Sequence, residues 1–476
     1  MGRIGVTQQD VVTVTDQMGT DRATDSTGTN NRQLQLGLLV SFSSWEGTRA
    51  TGALNMEEAQ VDRWLLHDVR VLDEAGSFTE QVDVTVSDGV ITGVGPNLAD
   101  AEAAVADLAG SWLMPGVFDC HSHITIGSVD TLQMMRTPVT QWALGAVQIM
   151  RQTLAGGVTS ARDAGGADAG IRAAVELGYV AGPRLQISVV PISQTGGHFD
   201  GYLQGPGRDI SAEYICPEYP GRPGYLVDGV DEMRKTVRQV IRAGGDWIKI
   251  ATTGGVLSPY ADSDAPEFSY EEVATAVTEA ARRGKPVMSH AFGGEGLANA
   301  VRAGVRSIEH GVFLDEQNAA LMAGKGTWLV PTLVVWRDTI ALAEAGNLPD
   351  YGIRKALDLK ARIGDAVRIA KAHGVKIALG CDYYLFRQHG RNLEEISLLH
   401  QAGLTVEEAL LAATLGGAQL CGASGKLGRI QPGYVFDAIV LDQDPGNPVI
   451  FEQPGAVAGV FKAGVPVVPH PQLPAG

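Results

Sequence analysis

Eight short apolar runs alternate with helical patterns through the middle of this chain, and that alternation most limits its fold. The runs are Gly116–Cys120, Val158–Arg162, Leu185–Val190, Trp247–Ala251, Val287–Ser289, Ser307–Glu309, Trp328–Thr332 and Lys376–Gly380. Each reads as a strand. Two of the intervening helices open with capping boxes, Ser269-x-x-Glu272 and Thr405-x-x-Glu408. Eight strand–helix units in about 300 residues predict an α/β fold, a (β/α)8 TIM barrel. Such barrels carry their chemistry at the C-terminal ends of the strands. The segment from Gly201 to Gly229 is rich in Gly, Pro and Tyr and reads as a loop over the barrel mouth.

The two ends match each other. Short strands are expected at Trp64–Val71, Val82–Val86 and Gly89–Val94, and again at Asp437–Asp442 and Val457–Gly464. They predict a small β-sandwich built from residues 56–113 and 427–476, with the barrel of residues 114–426 inserted in it. Residues 1–55 are rich in Thr, Gln, Asn, Asp and Gly without a sustained period, and read as a disordered or loosely attached N-terminal extension. Met56 resembles a natural start, which suggests an over-extended gene model upstream.

Composition sets outer bounds. The formal net charge of −17 argues against nucleic acid or an anionic membrane surface as partner. No apolar run approaches the roughly 20 residues that span a bilayer. The four cysteines, Cys120, Cys216, Cys381 and Cys421, show no framework spacing, and no signal peptide is recognised. Free thiols in a reducing cytoplasm are the expectation.

Candidate ligands fall at the expected strand ends. His121 and His123 end the first run, and their i, i+2 spacing puts both imidazoles on one strand face. His290 ends the fifth run, His310 the sixth, and Asp382 follows the eighth. Lys249 lies between two isoleucines in the fourth, where an unpaired ammonium is costly. A desolvated neutral amine can instead take up carbon dioxide and become a carbamate, an anionic ligand able to bridge two cations. Four histidines, a carbamate and an aspartate suit two borderline-soft ions, zinc first, with cobalt and manganese as alternatives. Arg162 and Asp163 read as a structural ion pair under the rim.

These residues sit in segments that resemble the amidohydrolase superfamily in its binuclear, carboxylated-lysine form. The segments are Met114-Pro-Gly-Val-Phe-Asp-Cys-His-Ser-His, Gly157-Val-Thr-Ser-Ala-Arg-Asp, Gln194-Thr-Gly-Gly-His198, Ile248-Lys-Ile-Ala-Thr-Thr-Gly-Gly, Met288-Ser-His-Ala-Phe-Gly, Ile308-Glu-His-Gly and Ala378-Leu-Gly-Cys-Asp. The similarity runs from about Val61 to Pro469. It is greatest to the branch of imidazolonepropionase-related and Xaa-Pro or Xaa-Arg dipeptidase-like enzymes, which also includes ochratoxin amidases and phenylurea or thiocarbamate (molinate) hydrolases. Cys381 and Phe436 depart from the family pattern without removing a ligand.

The resemblance implies that His121, His123 and Asp382 bind one metal, that His290 and His310 bind the other, and that carboxylated Lys249 bridges both. It implies attack on an amide C–N bond by a hydroxide shared between the cations, with Asp382 and His198 as catalytic groups. It also implies a small-molecule substrate and a homo-oligomer. His198, Tyr260, Arg387 and His389 are the expected substrate contacts. An Arg, Tyr or His anchor suits a dipeptide or N-acyl amino acid. An apolar slot of Phe292, Trp336 and Phe386 suits a neutral carbamate, thiocarbamate or phenylurea. A deaminase of the same fold is disfavoured, because it has no use for Lys249.

Overall fold

The computed structural model describes residues 62–473 apart from 210–215, 218 and 220. The expected N-terminal extension, residues 1–55, and Tyr214 of the mouth loop lie outside the described residues.

The central strands run parallel in two sheets. Val117–Ser122, Val158–Asp163 and Arg184–Ile187 form one. Pro191–Ile192, Ile248–Ala251, Val287–Gly293, Ser307–Phe313 and Trp328–Val330 form the other, neighbours in chain order. Ile248–Ala251 and Val287–Gly293 are buried at every position, as strands covered on both faces must be. Amphipathic helices intervene. In Val230–Arg242 the buried Met233, Val237 and Val240 recur at helical spacing. Asp231 and Glu232 in its first turn and Arg242 in its last complement the helix dipole. Both expected capping boxes form, at Ser269/Glu272 and Thr405/Glu408.

Two expected strands are corrected. The third, Leu185–Val190, is divided: Val189 takes a positive φ of 66°, and Pro191 has no N–H to give to a ladder. Arg184–Ile187 therefore pairs with the second strand, and Pro191–Ile192 restarts beside the fourth. The eighth, Lys376–Gly380, makes only an isolated parallel bridge, Leu329 to Ile377. Its backbone nonetheless reaches the first strand. Cys120 N–H donates to Leu379 O at 2.9 Å, and Asp382 N–H to His121 O at 2.7 Å.

Both chain ends contribute to a single eight-stranded sheet, joined where Trp112–Pro115 pairs antiparallel with Ala438–Leu441. The long strand Arg63–Leu72 is irregular near Asp68, a residue with φ of 54°. It pairs with Ala104–Asp107 before that point and with Trp112–Pro115 after it. Trp64, Val84, Ile91, Leu113, Phe436 and Phe461 form the core of this sheet. No helix among the described residues is long and apolar enough to cross a membrane.

Candidate metal centre

The central strands bring His121, His123, His290, His310 and Asp382 into one cluster, and the charge of Lys249 acts on it. Donor atoms of His121, His310 and Asp382 all lie within 4.8 Å of one another. Asp382 Oδ1 is 3.4 Å from His121 Nε2 and 3.2 Å from His123 Nε2. The His290 and His310 ring centroids are 4.6 Å apart, those of His121 and His310 5.0 Å. His310 and Asp382 both take positive φ, 75° and 56°. Non-glycine residues persist in that region only when their surroundings hold them there, and they concentrate at functional sites.

Each histidine is aimed by a partner on its other nitrogen. His121 Nδ1–H donates to Glu309 Oε2 at 2.8 Å, and His123 Nδ1–H to Gly165 O at 2.9 Å. His290 Nε2–H donates to Gly254 O at 2.9 Å, and His310 Nδ1 pairs with Thr332 Oγ1 at 2.7 Å. The carboxylate and carbonyl acceptors fix the tautomer, so the remaining nitrogen of each ring carries a lone pair for a cation. Burial holds His121 and His290 well below the usual imidazole range and His310 down at about 4. These rings are therefore neutral, the form that binds metal. Burial opposes protonation of His123 too, but the hydrogen bond and charge of Asp382 outweigh it and raise that ring. Asp382 is likewise opposed by burial, yet the surrounding histidines draw it well below the usual carboxylate range.

Lys249 is 1% exposed and has no ion-pair partner among the described residues. Its Nζ lies 5.9 Å from the centre of the Phe199 ring. Burial pushes its amine down to about 8. A buried amine that loses its proton so easily fits the chemistry of carbamate formation, and the donor set as a whole fits divalent cations.

A buried charge network lies behind the cluster. Arg162 donates from Nη2 to both oxygens of Glu309 at 2.9 Å and from Nη1 to Ser307 Oγ at 2.9 Å. It also donates to the Cys120 carbonyl. The expected Arg162–Asp163 pair does not form. Asp163 instead accepts backbone N–H groups from Ile124, Gly165 and Ala167 and so shapes the turns beside His123. Sequence reasoning missed Glu309. The available signal was two opposite charges, Arg162 and Glu309, each inside an apolar run that reads as a buried strand.

The expected substrate contacts separate. His198 stacks on His290 with centroids 3.8 Å apart and bonds Ser258 Oγ through Nδ1 at 2.7 Å. Its packed position pushes the ring down to about 3. Lys355 donates to the Ser258 carbonyl at 2.8 Å and to the Ala261 carbonyl, pinning the loop that carries Ser258. Tyr260 is exposed, and its hydroxyl donates to the Tyr202 carbonyl. Arg387 is exposed with no ion-pair partner among the described residues. His389 is buried, with Nε2 on the Ile126 carbonyl at 3.1 Å. Phe292 and Trp336 stand edge to face at 5.1 Å beside His290 and His310.

The chain as a whole has known relatives. The amidohydrolase family profile matches residues 112–467. The chain belongs to the amidohydrolase family. Ochratoxinase from Aspergillus niger is 32% identical over 364 residues, covering 74% of this chain and 75% of the relative. A prolidase solved with N-methylphosphonate-L-proline superposes with a TM-score of 0.79 at 33% identity, over 85% of this chain and 99% of that one. A Xaa-Pro dipeptidase with bound methionine gives 0.78 at 29%, over 85% and 99%. Such neighbours give this amidohydrolase a TIM-barrel-containing α/β fold and make it a hydrolase of C–N bonds.

Proposed function

We propose that this amidohydrolase is a binuclear metal-dependent enzyme that cleaves the amide bond of a dipeptide or N-acyl amino acid. The observation that carries the reading is Lys249, a buried amine with no ion-pair partner among the described residues, on which the charge of Asp382 acts and which itself acts on His121, His290 and His310. His121, His123 and Asp382 would hold one cation, His290 and His310 a second, with carboxylated Lys249 between them. Bound there, the ions supply Lewis acidity for the substrate carbonyl and acidify water. In this reading the eight strands close into a (β/α)8 barrel over residues 114–426, set in a sandwich from residues 56–113 and 427–476.

The remaining steps belong to side chains. Asp382 Oδ1 faces the imidazoles of His121 and His123 and is ionised, so it can accept a proton from water and pass it to the leaving nitrogen. His198, neutral and fixed by Ser258, can donate a hydrogen bond to the oxygen of the tetrahedral species. Arg387, five residues beyond Asp382 and without an ion-pair partner among the described residues, is suited to a substrate carboxylate. Tyr260 and His389 complete the proposed contacts. The prolidase and ochratoxinase relatives support a substrate of this class. A second reading, hydrolysis of a neutral carbamate, thiocarbamate or phenylurea, is favoured by the aromatic wall of Phe292 and Trp336.

The test combines metal analysis with a parallel screen of dipeptides, N-acyl amino acids, phenylureas and thiocarbamates. Two divalent ions per chain and turnover of a carboxylate-bearing amide, with KM raised in Arg387→Ala, are expected. Turnover of neutral substrates alone would move the assignment to the second reading. A fully active metal-free protein would refute both.

A further inference from the structure

Strand Val117–Ser122 presents more than metal ligands. Phe118 and Cys120 enter a separate apolar cluster with Trp247, Met288, Trp328 and Ala418. Two thiols meet at this cluster. Cys120 immediately precedes His121, and Cys421 ends the helix Gly417–Leu420 near the far end of the chain. Their Sγ atoms are 3.9 Å apart although 301 positions separate them in sequence. Both are free, Cys120 buried and Cys421 partly exposed.

Three features make the pair reactive together. The gap exceeds a disulfide bond, about 2.05 Å, by less than a methyl radius, which side-chain rotation and small backbone shifts can close. Arg162 reaches the pair, donating from Nε to the Cys120 carbonyl, and the contact with Cys120, followed by the Arg162 charge, draws the Cys421 thiol down, toward thiolate. Partial exposure gives a small oxidant access to Cys421. The other cysteines lack this setting: Cys216 and Cys381 are buried, and Cys381 donates its S–H to the Asn392 carbonyl at 3.3 Å.

We propose that Cys120 and Cys421 are an oxidation site, converted by a hydroperoxide into a reversible intrachain disulfide. The Cys421 thiolate attacks the peroxide, the O–O bond breaks, and a sulfenic acid and an alcohol (water, from hydrogen peroxide) result. The Cys120 sulfur then attacks the Cys421 sulfur. The S–O bond breaks, and water leaves with the Cys120 proton. The two thiols lose two electrons and two protons, and the peroxide gains them. The product staples the strand that bears His121 and His123 to the helix Gly417–Leu420. Joining two points so distant in sequence restricts the unfolded chain strongly. The oxidised protein therefore melts at a higher temperature than the reduced one. This site does not depend on the identity of the substrate.

The test uses the full-length, metal-loaded protein treated with a graded series of hydrogen peroxide, then alkylated under denaturing conditions without reductant and peptide-mapped. Expected are a Cys120–Cys421 linked peptide, a fall from four free thiols to two, a raised melting temperature, and reversal of all three by dithiothreitol. Cys421→Ser should lose no further thiol and show no such shift. Cys120→Ala, a second variant should the first fold poorly, should trap Cys421 as a dimedone-reactive sulfenic acid. Persistence of four thiols, a linked peptide that includes Cys216 or Cys381, or unlinked overoxidation of Cys421 would each overturn the proposal.

Discussion

Glu309 is the residue on which the geometry of the candidate centre most depends without itself facing a cation. It is fully buried, and its carboxylate accepts from Arg162 Nη2 at 2.9 Å and from His121 Nδ1 at 2.8 Å. Two substitutions separate these tasks. Glu309→Gln keeps an oxygen for His121 but leaves the Arg162 guanidinium buried without its counter-charge. Breaking a buried pair from one side costs about 3–5 kcal/mol, and the partial interactions kept by Ser307 and the Cys120 carbonyl place the expected loss near the lower value. Glu309→Leu also removes the acceptor of His121, adding about 1–2 kcal/mol for a buried donor left unpaired. Freed of its partner, His121 loses its tautomer and its aim, and metal affinity should fall about 10–100-fold, more in the leucine variant than in the glutamine one. The assay is urea unfolding of the metal-stripped proteins, which reads stability without the ions, followed by zinc titration against a competing chelator. If Glu309→Leu unfolds within about 1 kcal/mol of the parent and binds zinc equally well, the network is incidental and the reasoning fails.

Three further outcomes follow from other parts of the fold. Lys249→Ala should lose metal and activity together, with short carboxylic acids restoring part of both; a fully loaded, active variant would remove the bridging role. Burial pushes the Glu395 carboxyl up to about 8, although it accepts the Leu333 and Val334 N–H groups at 2.8 and 2.7 Å. A carboxyl raised above its unfolded value contributes stability that is full below the unfolded pKa and fades as pH rises through the folded one. Urea midpoints should therefore fall between pH 5 and pH 8 in the parent, and less steeply in Glu395→Gln; equal slopes would exclude Glu395 as the source. Ser269→Ala removes a capping-box hydroxyl that accepts the Glu272 N–H, and should cost about 1 kcal/mol in chemical denaturation with no change in metal binding.

How much of this was legible in the sequence depended on whether a feature was local. Seven of the eight central runs became strands or parts of strands, because a short apolar run between turn residues has few other uses. Both capping boxes were legible because the whole motif lies within four residues. The third and eighth runs were misread because apolar pattern does not report ladder geometry. Val189 at positive φ and Pro191 divide the third, and the eighth spends its backbone on bridging the first and seventh strands rather than on a regular ladder. Of the six candidate ligands, His121, His123, His290, His310 and Asp382 were legible because each stands at or just beyond the end of an apolar run, whereas Lys249 stood out as a charge inside one. Their supports were not legible. Glu309, Thr332, Ser258 and Lys355 act on groups that arrive from other strands or loops, and a chain read in order gives no distance between them. Arg162 shows the limit most clearly. Its sequence neighbour Asp163 offered the obvious counter-charge, yet adjacent strand residues point to opposite faces. The partner had to be a carboxylate on another strand facing the same interior, and Glu309 is the one that the fold brings there. A buried charge in a parallel strand is thus best read as a demand for an opposite charge elsewhere in the barrel. Here that demand leads from Arg162 through Glu309 to His121, and so to the candidate centre itself.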